Sequence, residues 1–366
     1  MISRIKGSED KTMADFEFRQ VANIKVFGVG GAGCNAVNRM VMEGARGVTF
    51  YVCNTDKQVL ETSPVENKIL LGRDLTGGLG AGGNPEIGKK AAQENEAEIR
   101  EAIKGSDMVF ITAGLGGGTG TGAAPYVARI AKEEGVLTVG VVTKPFTMEG
   151  RRRMTLAMEG LNELKQYTDS LIIVSNNSLI EVIGRRPMKE AFKAADNVLR
   201  QGVQTITDLI AIPALINLDF ADVRSVMENQ GAALIGVGIA SGENKAREAA
   251  EKAVQSPLLE TQIYGARNAI INITGGENVT LFDAEDAVNC ICEAAGNQID
   301  AYFGVAINES LEDEIIVTVI ATGFADVEEE PQQYTAPVRG GADNTRRASA
   351  ATEVEEDEII PNFFRR

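Results

Sequence analysis

Five short, almost wholly apolar runs, at residues 24–29, 48–52, 108–112, 137–142 and 171–174, alternate with stretches of helical periodicity such as 35–43, 85–104 and 125–134. A strand that is apolar on both sides has to be covered on both faces, and a helix returning the chain after each strand makes neighbouring strands parallel. The alternation therefore predicts a Rossmann-like parallel sheet with helices on both faces. Residues 187–213 form one long amphipathic pattern, with Phe192, Ala195, Val198, Leu199, Val203, Ile206, Leu209 and Ile210 recurring three and four apart between Pro187 and Pro213. At 1.5 Å per residue that helix would reach about 40 Å, enough for a spine between two halves. Beyond it, apolar runs at 233–239, 269–273, 302–307 and 315–320, with helices near 245–254 and 284–294, predict a smaller α+β domain. The expected organisation is an extension at 1–22, a parallel-sheet domain at 23–186, the central helix at 187–213 and the α+β domain at 214–324.

Composition removes several function classes. The 366 residues hold 36 Lys and Arg against 52 Asp and Glu, a net charge of −16 that repels a nucleic-acid backbone. With no histidine the chain has no imidazole base, no histidine metal ligand and no Ser-His-Asp triad. The four cysteines, Cys34, Cys53, Cys290 and Cys292, form no CxxC pair and read as buried reduced thiols of a cytoplasmic protein. The N-terminus lacks the apolar stretch of a signal peptide, with Met13 opening a second plausible start. The uncharged run 108–128 carries too many glycines, plus Pro125, to span a bilayer. Residues 325–357, rich in Glu, Gln, Pro, Ala and Thr, are expected to be disordered, and 358–366 (Ile359, Ile360, Pro361, Phe363, Phe364, Arg365, Arg366) read as a docking peptide on that tether.

Three glycine runs carry the chemistry. Gly28-Val29-Gly30-Gly31-Ala32-Gly33 lies between strand and helix, with Asp56 further on. Taken alone it suggests a nicotinamide dinucleotide, although its physical content is broader: backbone that approaches a phosphate at a helix N-terminus. Gly83 to Lys90 nearly matches a P-loop, but Lys90 stands where a magnesium-binding Ser or Thr belongs and Pro85 suits the first turn of a helix, so it is rejected as one. Gly114-Leu115-Gly116-Gly117-Gly118-Thr119-Gly120-Thr121-Gly122 is the sharpest, placed after the strand at 108–112 and before a helix expected to open at Ala123. Five glycines in seven positions are entropically costly to order, which a plain surface turn would not need. None of the six tyrosines has a lysine four residues later, which with the absence of histidine argues against a hydride-transferring enzyme.

The run GGGTGTG, together with VCNTD, GLGAGGNPEIGKKAA, VGVVTKPFTMEGRRR, ADNVLRQGV, LINLDFADV and IPNFFRR, resembles the tubulin/FtsZ family over residues 23 to 324 and the terminal peptide. The resemblance implies a tubulin-like fold and a GTPase that polymerises head-to-tail into filaments at the bacterial division site, in the cytoplasm beneath the inner membrane. It implies GTP and GDP as ligands, with Mg²⁺ held mainly by phosphates and water. It gives Gly31, Ala32, Gly33, Cys34 and Asn35 to the phosphates and base, Ala81 and Gly82 to the γ-phosphate, and Gly118, Thr119 and Gly120 to the α- and β-phosphates. Glu149 and Arg153 fall to the ribose side, Asn176, Phe192 and Asp196 to the base. A carboxylate suits guanine, accepting from N1–H and the N2 amine together, where adenine offers no such pair. Asn217, Asp219 and Asp222 are implied as the catalytic loop acting on the GTP of the adjacent subunit, and the terminal peptide Ile359 to Arg366 as the site for membrane adaptors and division regulators, with no direct membrane insertion. From the residues alone, Glu149 with Arg153 also fits a solvated i,i+4 pair, Phe192 a core residue, and Asp222 an N-cap of a helix at 223–227. Ala32, Cys34 and Asn177 depart from the family pattern.

Overall fold

The structure, a computed structural model, describes residues 22–324 apart from 46, 184–186, 212–214, 217, 257–261 and 297. The extension up to residue 21, the linker and terminal peptide at 325–366, and Asn217 lie outside the described residues.

The first half runs β1 (Ile24–Val29), α1 (Gly30–Met42), β2 (Val48–Asn54), α2 (Lys57–Glu61), β3 (Asn67–Leu70), α3 (Arg73–Thr76), α4 (Pro85–Glu94), α5 (Glu96–Ile103), β4 (Met108–Gly114), α6 (Thr119–Glu133), β5 (Leu137–Lys144), α7 (Arg151–Lys165), β6 (Ser170–Ser175) and α8 (Asn176–Ile183). The spine follows as α9 (Met188–Ala211), 24 residues and so about 36 Å long. Then come α10 (Phe220–Met227), β7 (Gly231–Ser241), α11 (Lys245–Val254), β8 (Asn268–Gly275), α12 (Leu281–Ala295), β9 (Asp300–Ile307) and β10 (Glu314–Thr322).

All ten strands join one sheet in the order β3-β2-β1-β4-β5-β6-β7-β10-β8-β9. From β3 to β6 every pairing is parallel, as the doubly apolar strands predict. β10 runs antiparallel between β7 and β8, and β9 pairs parallel with β8. The seam between the halves is narrow: β6 and β7 share three register positions, Ser170 to Ile172 against Gly231 to Ala233. Asp169 sits at its start, its carboxylate accepting from the Thr138 N–H at 2.8 Å and its carbonyl from the N–H groups of Gln230 and Gly231.

One face of the parallel half is covered by α1 and α9, whose Val37, Met40, Leu199, Val203 and Ile206 are buried there; α4 to α7 cover the other through residues such as Ala91, Ile99, Val127 and Leu164. The alanine-rich α11 and α12 cover one face of the second half. Of the eight apolar positions read on α9, seven are buried, and Phe192 is 42% exposed. The continuous helix expected at 85–104 is instead two, broken at Asn95, whose Oδ1 accepts from the distant Gly72 N–H at 2.8 Å. No helix among the described residues is long and apolar enough to cross a membrane.

Candidate functional site

The strand order reverses between β1 and β4, and the chain leaves them toward opposite faces, β1 into α1 and β4 into α6. Such a switch point opens a crevice at the C-terminal ends of the strands, and the first and third glycine runs lie there. Gly30 adopts φ +73°, and a Cβ on it would lie 2.8 Å from the Gly120 nitrogen, so the first and third runs touch. A Cβ on Gly118 would meet Ala81 Cβ and the Asn84 nitrogen, each at 2.9 Å, which brings the second run in beside the third. One on Gly116 would lie 2.8 Å from the Arg153 carbonyl, adding the start of α7. Thr55 and Thr119 close the cluster through a hydroxyl–hydroxyl bond of 2.6 Å.

The helices starting here leave their first amides unclaimed. α1, α6 and α7 each begin without a side-chain cap and without an acidic residue in the first turn. The first N–H groups of a helix have no partner within it, and with the positive end of the dipole they suit an anion. Gly31 and Gly117 sharpen this: neither has a positive φ, and a Cβ on either would meet nothing within 4 Å. Neither backbone strain nor packing asks for glycine at these positions, and among the described residues the space above their amides is open.

Two expectations on this face are corrected. Cys34 is fully buried, its Sγ within 3.4 Å of the Gly28 carbonyl, and burial pushes the thiol up to about 12, so its side chain belongs to the core rather than to the crevice. The third run is not a loop up to Ala123: α6 already begins at Thr119, with Gly120, Gly122 and Pro125 inside it. Gly33 is buried as well, and a Cβ there would strike the Thr112 carbonyl at 2.2 Å, so this glycine lets α1 lie against β4. Asn35 and Gly82 are exposed, while Ala32 and Thr119 are partly open. The rejected P-loop reading agrees with the side chains: Asn84 caps α4, Pro85 is its first residue, and Lys89 pairs with Glu163 at 2.7 Å.

The other residues assigned to the site come from α9, the start of α8 and the turn before α7. Phe192 packs edge-on against buried Phe146, with ring centroids 5.3 Å apart, and keeps part of its ring open. Asp196, one turn on, is 13% exposed at its side chain and faces Arg39 of α1 at 3.6 Å. Burial raises its carboxyl to about 6, with the Arg39 charge pulling the other way. Asn176 is buried, and its Oδ1 has no hydrogen-bond partner among the described residues. Asn177, where the family pattern has a carboxylate, uses its amide structurally: Oδ1 accepts from the Thr147 N–H at 2.9 Å and Nδ2 donates to the Thr147 hydroxyl at 2.7 Å. Glu149 accepts from the Phe146 N–H and forms an ion pair with Arg153, whose side chain is 55% exposed.

Asp219 and Asp222 lie beyond α9 and bond to each other's backbone. Asp219 is the N-cap of α10 and accepts from the Asp222 N–H at 2.9 Å, while Asp222 accepts from the Asp219 N–H at 3.0 Å. Asp222 is thus the third helical residue, at the far end of the box, rather than the cap, and capping accounts for both carboxylates. Each keeps oxygen lone pairs free for other work. Among the described residues, no group of three or more His, Cys, Asp or Glu side chains is placed to hold a metal ion. Sequence reasoning missed Thr55 and Arg39. The first stood inside the VCNTD stretch; the second gave no local signal, its partner being on another helix.

Residues 23–184 match the Tubulin/FtsZ family, GTPase domain, and residues 231–325 the FtsZ family, C-terminal domain. Fold and site together define a tubulin-like GTPase. Among solved structures, an FtsZ dimer from M. jannaschii is 49% identical, covering 82% of this chain and 88% of that one with a TM-score of 0.79. A point mutant of that protein gives 49% identity, 83% and 91% coverage and a TM-score of 0.80. CetZ2 from Haloferax volcanii, in a GTPγS-bound protofilament, shares the fold at 22% identity, covering 84% of this chain and 94% of that one with a TM-score of 0.71. The chain belongs to the FtsZ family.

Proposed function

We propose that this chain binds GTP in the crevice, hydrolyses it at a contact with the next subunit, and polymerises head-to-tail into the filaments of a division ring. The observation that carries the reading is the meeting of three glycine runs and three uncapped helix starts at the switch point of the sheet. Amides of Gly31, Ala32, Gly118, Thr119 and Gly120, with Ala81 and Gly82, would hold the phosphates; Glu149 and Arg153 would flank the ribose; Asn35, Asn176, Phe192 and Asp196 would take the base. The orphan Oδ1 of buried Asn176 fits a ligand that brings a donor. Mg²⁺ would be held by phosphates and water, supplying charge neutralisation for phosphoryl transfer.

Asp219 and Asp222, with Asn217, would orient the attacking water on a neighbour's nucleotide, a task that needs positioning more than a strong base. The assignment divides the chain into a GTP-binding part at 23–186, a spine at 187–213, a second domain at 214–324, and a tether at 325–357 presenting the adaptor peptide 358–366. A cytoplasmic site beneath the membrane, at mid-cell, belongs to the same reading. Titration with fluorescent GTP and ATP analogues tests it: Asp196→Ala should weaken GTP by about 1–3 kcal/mol while leaving any ATP binding little changed. Equal losses would remove Asp196 from base recognition, and turnover per molecule that does not rise with protein concentration would place hydrolysis within one chain.

A further inference from the structure

Asp196 joins two properties that pull against each other: it is assigned to read a base, and its side chain is largely withdrawn from water. Guanine donates hydrogen bonds but carries no charge, so filling the pocket would remove water from the carboxylate without supplying a counter-ion, which is costly unless the protein provides one. The protein has one in place. Arg39 stands four residues after Asn35 on α1, and its Nη2 lies 3.6 Å from Asp196 Oδ2. The helix that offers its first amides to the phosphates therefore also brings a cation to the base-reading carboxylate.

We infer that Arg39 is a positioning residue for guanine recognition, holding Asp196 as an ionised two-point acceptor by pairing with it across α1 and α9. The inference rests on the assignment of Asp196 to the base. Ionised, the carboxylate accepts from N1–H and the N2 amine; protonated, it loses an acceptor and turns an O–H toward a donor. Burial alone raises this carboxyl, to about 6 with Arg39 opposing. Removing the guanidinium leaves burial unopposed, so the protonated form spreads upward toward neutral pH.

Other charged residues lie on α9 and on the elements packed against it. The helix packs against α1, β5, α8 and α10. Besides Arg39 these elements carry Glu43 at the C-cap of α1, Lys144 at the end of β5, Glu181 on α8, and Asp222 and Arg224 on α10; α9 itself carries Lys189, Glu190, Lys193, Arg200 and Asp208. Arg39 is the charge whose field acts on Asp196. Glu43 instead pairs with Arg200 at 2.9 Å, a second ion pair between the same two helices. It separates the stapling of α1 to α9 from the tuning of Asp196.

The experiment is titration of a fluorescent GTP analogue, and in parallel an inosine triphosphate analogue that lacks the N2 amine, into the full chain from pH 5 to pH 9. Magnesium is withheld to suppress turnover. Each variant is read as a ratio to wild type, which cancels the titration of the phosphates. Arg39→Gln should lose about tenfold in GTP affinity at pH 7, recover most of it by pH 9, and narrow the preference for guanosine over inosine at pH 7. Arg39→Lys, which keeps the charge, should stay near wild type, and Glu43→Gln should match it at every pH. An Arg39→Gln ratio that is flat across pH, whether at wild-type affinity or uniformly lowered, would overturn the inference, because a residue that merely packs has no pH signature here. Should Arg39→Gln fail to fold by its melting curve, Arg39→Met carries the same comparison. If Asp196→Ala retains the guanosine preference, the base assignment falls and Arg39's part falls with it; if Asp196→Ala loses that preference while Arg39→Gln gives a flat ratio, only the inference fails.

Discussion

In the parallel half α1, α6 and α7 start bare, with neither a side-chain cap nor an acidic residue in the first turn, whereas past α9 both α10 and α12 open on reciprocal capping boxes, Asp219 with Asp222 and Thr280 with Asp283. A cap is worth about 1 kcal/mol, so three bare starts at one place forgo stability that the same chain secures elsewhere. Glycines that close the fold and glycines at the crevice differ in the same way. A Cβ on Gly238 of β7 would lie 1.9 Å from the Ala249 carbonyl, so that glycine lets α11 lie flat on the sheet. Gly31 and Gly117 meet nothing at all. Gly238 and the two capping boxes close the structure on itself; at the crevice α1, α6, α7, Gly31 and Gly117 leave the same kinds of group open.

The severest way to break this contrast is to fill a close approach in each half. Gly122→Ala would set a Cβ 1.9 Å from the Pro85 carbonyl, as Gly238→Ala does against Ala249. Each should cost about 3 kcal/mol in chemical denaturation. Only Gly122→Ala, in the first turn of α6, should also lower the GTP affinity of the folded fraction. Matching affinity losses from Gly238→Ala would mean that the halves do not divide their work in this way.

A smaller effect separates capping from chemistry at α10. Asparagine caps as well as aspartate does, and glutamine serves the third position of a capping box. Asp219→Asn and Asp222→Gln should therefore hold stability within about 0.5 kcal/mol while GTP turnover drops by a factor of about 10². Turnover that tracks stability across these and the alanine variants would reduce both carboxylates to caps.

The smallest effect sharpens the comparison most. Gly31→Ala and Gly117→Ala should leave the melting temperature unchanged or raise stability by up to about 1 kcal/mol, since alanine restricts the unfolded chain. GTP affinity should fall about tenfold, or about 1.4 kcal/mol. Full affinity in both would show that the open space above these residues is not used by the ligand.

Much of this was legible in the sequence where one physical signal dominated. The doubly apolar strands announced the parallel sheet, and the stripe from Ala195 to Ile210 announced the face of α9 that is buried. Features fixed by distant partners were not readable. Helix propensity argues that a run with Gly120 and Gly122 is loop, yet α6 contains both, close against the Gly114 and Pro85 carbonyls where no side chain would fit. Strand β3, four residues at the sheet edge with only Ile69 buried, has too little periodicity to detect. The break at Asn95 depends on Gly72, and the pairing of Asp196 on Arg39, more than 150 residues away. Of the site, the glycine runs were evident from composition and the burial of Cys34 agrees with the reading of the cysteines as buried thiols, while the mutual capping of Asp219 and Asp222 required coordinates.

The narrow seam at Asp169 has a consequence for cooperativity. Eight register positions bind β7 to β10 but three bind it to β6, so the sheet is continuous without being uniformly knit. Across the thin stretch, one residue receives three backbone protons: Thr138 from β5, and Gln230 and Gly231 from the entry to β7. The neighbouring Ser170 hydroxyl adds a bond to the Met227 carbonyl at 2.6 Å, tying in the end of α10. Asp169 therefore ties the start of β6 to β5 on one side and to the entry of β7 on the other. The Gln230 and Gly231 amides, which cross the seam to Asp169, are protected from exchange only while it is closed, whereas the Thr138 amide bonds within the parallel half; comparing their exchange rates tells whether the two sides of the seam open together or in turn.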